Sequence, residues 1–320
     1  MGESDRGKRG RAGRRMPLAA AAVAVCLVAA GALAACAPGS AATSSQATGV
    51  VNVVAAENFW GSIARQLGGT HAHVTSIISN PNTDPHDYEP TVQDARAIAG
   101  ANLKILNGVG YDTWAQRVLA ASPDAGRAVL DVGALVGVPA GGNPHRWYAP
   151  DDVRKVADQI TADYKKLDPG DSAYFDQQRQ EFEDVSLAKY SALVEQIKST
   201  YAGTPIGASE SIVSPLAQAL GLELITPEAF LTAISEGTDP TAADKATVDA
   251  QINSKQIKIL IYNRQNSTPD VMAMVNEAKA QCIPVVTVTE TLEPESATFQ
   301  DWQVAQLESI QQALHQATGR

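Results

Sequence analysis

The sequence predicts an α/β protein of two lobes, each built on a parallel-type sheet, with a long rigid backbone helix joining them. Three features carry this prediction. Strands and helices alternate at βα spacing from Val50 to Ala121. A charged helical stretch of about 30 residues, from Asp171 to about Thr200, would reach about 45 Å at 1.5 Å per residue. Beyond it a strand, acid, helix plan restarts: Glu57 precedes A-R-Q-L-G at 64–68 as Glu210 precedes A-Q-A-L-G at 217–221.

In chain order, the first 35 residues read as an export leader with a basic start and an apolar run from Met16 to Ala35. Small residues before Cys36 form a lipobox-like ending that would make Cys36 the lipidated first residue of the mature chain. The alternative is an uncleaved membrane anchor. Residues 36–49, rich in Ala, Ser and Thr, read as a flexible tether. Removing the leader's six bases and two acids from the chain's 25 and 35 leaves 19 and 33, a net charge of −14. Such a body disfavours nucleic acid and anionic lipid and attracts cations. With Cys26 in the leader and Cys36 committed to lipid, Cys282 has no intrachain partner, so core packing must hold the fold.

The first lobe covers residues 50–150. V-V-N-V-V-A-A from Val50 reads as a strand buried on both faces, with Glu57 at its mouth. A helix from Phe59 to Leu67 stops at Gly68-Gly69, a strand follows at Val74–Ile78, then a loop, N-P-N-T-D-P-H-D-Y-E-P-T at 80–91, presents His86 between prolines that hold the backbone extended. Helix at 92–101, strand at 103–107 and helix at 113–121 come next. V-P-A-G-G-N-P from 138 to 144 then delivers His145 on a second Pro-stiffened loop. Connecting helices occupy 151–200, one from Pro150 to Leu167 and the spine after it. The second lobe, 201–320, has strands at 205–208, 257–262 and 284–288, helices at 269–281 and 300–318, and Glu210 after its first strand.

In open α/β sheets ligands bind beyond the carboxyl ends of strands. Glu57, His86, His145 and Glu210 all follow predicted strands, and two imidazoles with one or two carboxylates suit zinc or manganese. His71 and His73, two apart in T-H-A-H-V, read as polar residues at a helix–strand junction with metal-ligating spacing. His315 reads as a solvated helix residue.

D-P-H-D-Y-E-P at 84–90, N-P-H-R-W at 143–147, S-E-S at 209–211 and T-E-T-L-E-P at 289–294 resemble motifs of the metal-binding receptor lipoproteins of zinc and manganese ABC importers. The resemblance implies one divalent ion held between the lobes, with His86, His145 and Glu210 as ligands, and delivery to a permease and its ATPase by a lipid-anchored monomer on the extracytoplasmic face. Relatives of that kind commonly supply a fourth ligand as an aspartate after the strand at 257–262, where this chain reads N-R-Q-N-S-T-P-D. Glu57 is the expected substitute, with Gln265, Asn266, Asp270 or water as alternatives. An exported metallohydrolase and a surface adhesin are the competing functions. The chain lacks H-E-x-x-H, which weakens the first, and no apolar patch is evident to support the second.

Overall fold

The apolar run after Val50 forms β1 (Val51–Glu57), buried along its length except at Asn52. It lies inside a four-stranded sheet with β2 (Ala72–Ile78), β3 (Leu103–Leu106) and β4 (Ala128–Asp131), in the order β2-β1-β3-β4 with every pairing parallel. The second sheet repeats this plan with β5 (Pro205–Ala208), β6 (Glu223–Leu224), β7 (Leu260–Asn263) and β8 (Val285–Val288), again all parallel, in the order β6-β5-β7-β8. Glu57 and Glu210 therefore close topologically equivalent strands. The computed structural model describes residues 49–83, 88–121 and 128–320, which lie in one compact unit. The leader, Cys36 and His86 lie outside the described residues.

Helices cover the sheets as βα connections require. In the first lobe these are α1 (Asn58–Gly68), α2 (Val92–Gly100), α3 (Thr113–Ala121) and α4 (Val132–Val136). α1 ends where Gly69 turns to φ +49°, a conformation that favours glycine. Thr91 and Asp94 form a reciprocal capping box that starts α2 just past the His86 loop. α5 (Pro150–Leu167) opens with proline and two aspartates and closes with two lysines, matching the helix dipole at both ends.

The expected spine is one helical run broken by a wider turn. α6 (Ser172–Glu181) passes through a π turn at Phe182–Ser186 into α7 (Ala188–Tyr201). There Leu187 N donates to Phe182 O at 2.9 Å, and the widened turn lets Phe182 and Leu187 both face the core. The second lobe adds α8 (Ser214–Ala219), α9 (Glu228–Ser235), α10 (Ala242–Asn253), α11 (Pro269–Ala280) and α12 (Phe299–Thr318). One apolar cluster runs from Val51 in β1 through Ile160 in α5 and Ile197 in α7 to Leu314 in α12, so the two lobes share a core. Smaller clusters lie on the far faces, around Trp114 in the first lobe and Val275 in the second.

Candidate metal centre

Three carboxyl-end segments and one proline-held loop meet between the sheets. β5 runs out into Ser209 and Glu210, β8 into Thr289 and Glu290, and β7 ends on Asn263. From the first lobe, the loop ending at Pro144 brings in His145, just before a 3-10 turn at Arg146–Tyr148. One ligand-type atom each from His145, Glu210 and Glu290 lies within 4.8 Å of the others. None of the three residues is more than 1% exposed. One imidazole and two carboxylates at this spacing match the first coordination shell of a divalent transition metal.

Each member is oriented by a partner. Asn143 Oδ1 accepts from His145 N at 2.9 Å and lies 3.0 Å from its Nδ1. A proton on Nδ1 in that contact leaves the Nε2 lone pair for a cation, the usual outer-sphere arrangement for a ligating imidazole. Asn143 Nδ2 also donates to Ser211 O at 2.7 Å, tying the His145 loop to the second lobe. Asn263 Nδ2 donates to Glu210 Oε1 and to Glu290 Oε1, both at 2.7 Å. Asn266 Nδ2 donates to Glu210 Oε2 at 2.9 Å, and the Tyr111 hydroxyl donates to Glu290 Oε2 at 2.5 Å. Gln265 Oε1 accepts from the backbone N–H groups of Glu290 and Thr291, while its Nε2 donates to Thr83 O at 3.1 Å. Thr83 stands three residues before His86, so the second lobe grips the start of that loop.

The residues expected as ligands thus divide. His145 and Glu210 meet, and Glu290 joins them although its role was not foreseen. Its signal was the one that singled out Glu57 and Glu210: an acid just past a strand. Glu57 stands outside the group. It is fully buried, and neither carboxylate oxygen accepts a hydrogen bond from a described residue. Burial, and then repulsion from Asp112, push its pKa well above the ordinary value. Asp112 accepts from the N–H groups of Asn107 and Gly108, yet burial still lifts it to about 6. Asn266 donates to the Glu210 carboxylate, Gln265 accepts from the backbone N–H of Glu290, and Asp270, in the first turn of α11, pairs with Lys245. His73 is exposed, and exposed His315 contacts the carbonyl of Arg320 at the chain end.

Two parallel α/β lobes with a buried imidazole–carboxylate cluster at facing strand ends define a bilobal binding-protein architecture. The chain belongs to the family described as zinc-uptake complex component A, periplasmic (ZnuA), whose model matches residues 53–313. It is 28% identical over 150 residues to the manganese-binding lipoprotein MntA of Halalkalibacterium halodurans, a match covering 45% of this chain and 47% of that protein. The match thus spans about half the length of that relative. With the high-affinity zinc uptake system protein ZnuA of Bacillus subtilis it shares 23% identity over 265 residues, covering 74% and 77% of the two chains. The fold is that of a Mn-bound periplasmic metal-binding protein mutant from Candidatus Liberibacter asiaticus, with a TM-score of 0.70 at 18% identity, covering 82% of this chain and 99% of the other.

Proposed function

We propose that this chain is an extracytoplasmic solute-binding receptor that captures a divalent transition metal, zinc or manganese, between its lobes and hands it to an ABC permease driven by an ATPase. The observation that carries this reading is the convergence of His145, Glu210 and Glu290, buried together and drawn from both lobes. Family membership and the names of the relatives support it. The proposed ligands are His145 through Nε2, Glu210 and Glu290, with His86, which lies outside the described residues, as the fourth. In this reading Glu290 takes the place the sequence suggested for Glu57. Cys36 would carry the lipid that anchors a monomeric receptor, and the cage binds and releases without turnover.

Two oxygens against one or two imidazoles favour a hard ion, whereas zinc outcompetes manganese at sites of equal geometry. Competition titration with Zn(II) and Mn(II), alongside metal analysis of the purified chain, tests the reading. Glu290→Gln and His145→Ala should each weaken tight binding by tenfold or more, while Glu57→Gln should leave it unchanged. Tight binding that survives both of the first two substitutions would refute the site. Because imidazole ligands must be neutral, affinity should fall below about pH 6.

A further inference from the structure

A second cluster lies at the opposite end of the first sheet. His71 closes the 3-10 turn Gly69–His71 that leads into β2, whereas the cleft lies at the carboxyl ends of the strands. Seven residues of β2 at about 3.3 Å each put roughly 20 Å between the two levels. Facing His71 is the corner between α5 and α6, where D-P-G-D at 168–171 makes a single tight turn. Asp171 N donates to Asp168 O at 3.3 Å, which brings the two aspartates together. One ligand-type atom each from His71, Asp168 and Asp171 lies within 4.8 Å of the others.

A plain ion pair accounts for only part of this. His71 Nδ1 meets Asp171 Oδ2 at 2.8 Å, and the ring is steadied against Tyr174 with centroids 4.1 Å apart. That pair leaves Asp168 unexplained. Asp168 is 9% exposed, and its Oδ2 is buried with no hydrogen-bond partner among the described residues. A buried carboxylate oxygen without a donor is destabilising, so its retention asks for a compensating positive group.

We propose that His71, Asp168 and Asp171 form a second, peripheral site for a divalent first-row metal ion, separate from the cleft. One nitrogen and two oxygens with no thiolate suit zinc or a neighbouring ion, with water completing the shell. The ion would pin the turn entering β2 to the α5–α6 corner, joining the first lobe to the connecting helices.

The test is Zn(II) binding to the full chain by calorimetry, with metal content measured after equilibrium dialysis. The parent should take up two equivalents, one tight and one weaker. His71→Gln and Asp168→Asn should each abolish the weaker one and leave the tight one intact, and Glu210→Gln should do the reverse. Asp168→Asn is nearly isosteric, and circular dichroism checks that each variant is folded. A parent that binds one equivalent, or a second equivalent that survives both substitutions, overturns the proposal. So does a result in which Asp168→Asn alters only the pH dependence of stability, since that would mean the two carboxylates merely share a proton. Should Glu210→Gln leave the tight equivalent untouched while His71→Gln removes the weaker one, the receptor reading fails and this site stands.

Discussion

Asn263 puts one amide between two acids. Its two Nδ2 hydrogens go to Glu210 and Glu290, each at 2.7 Å, and charge-assisted bonds of this kind contribute about 1.5–3 kcal/mol apiece. They offset the repulsion of two buried carboxylates, a job a cation would do better. Asn263→Asp removes both donors and adds a third charge. The metal-free variant should therefore melt below the parent, while Zn(II) or Mn(II) should raise its Tm by more than it raises the parent's. A smaller metal-induced rise in differential scanning fluorimetry would show that Asn263 does not stand in for the ion. Glu57 titrates differently in the folded and the unfolded chain. Its folded-state pKa lies above the ordinary 4.5, so between those values the folded chain holds a proton the unfolded chain has released. Stability contributed by that proton is full below about pH 4.5 and lost as pH rises toward the folded pKa. Glutamine carries no such proton. Glu57→Gln should thus gain on the parent in urea midpoint as pH rises above about 4.5. A difference that stays constant with pH would contradict this.

The 3-10 turn at Arg146–Tyr148 builds the wall behind His145. Trp147 is fully buried, stacks on Phe59 at 4.0 Å and presents its ring at 74° to the imidazole, 5.3 Å away. Trp147→Ala should cost about 3–5 kcal/mol in chemical denaturation, as large-to-small core changes do, and should also weaken metal binding because the imidazole loses its support. Destabilisation with unchanged affinity would assign the indole to packing alone. The elements that sequence made legible are the long or strongly patterned ones. α5 has proline at its start and lysines at its end, β1 is apolar from Val51 to Ala56 apart from Asn52, and α12 lies within one residue of expectation. β6, of two residues, is too short to show a period, and β4, at the edge of its sheet with one fully buried residue, has no buried apolar run to mark it. The π turn at 182–186 was hidden because it changes the helix pitch without any breaker residue. At the candidate site, strand mouths pointed to Glu210 and equally to Glu57, whose strands are equivalent. Pattern alone does not reveal that Glu57 ends beside Asp112 while Glu290 faces Glu210. That distinction comes from how the two sheets are set against each other.

The lobes are joined by more than the chain that links them. The apolar core runs unbroken from β1 to α12. Around the cleft, the Tyr148 hydroxyl reaches Thr289 O at 2.9 Å, Leu292 N donates to Asn58 Oδ1 at 3.2 Å, and Phe299 N donates to Ser62 Oγ at 2.9 Å. A wide hinge motion would tear this shared core and strip water-inaccessible hydrogen bonds together, at a cost that a single ion's differential binding has to match. Loop movement or slight rocking at the strand mouths costs far less. Metal loading should therefore leave the radius of gyration unchanged in small-angle X-ray scattering while raising Tm in a single transition. Hydrogen exchange should slow at the segment carrying Glu290 and at the flanks of the His86 loop, which Gln265 already links. A measurable contraction on adding Zn(II) or Mn(II) would mean that the two lobes hinge despite their common core. The physical basis of release would then lie in lobe separation rather than in the loops around the ion.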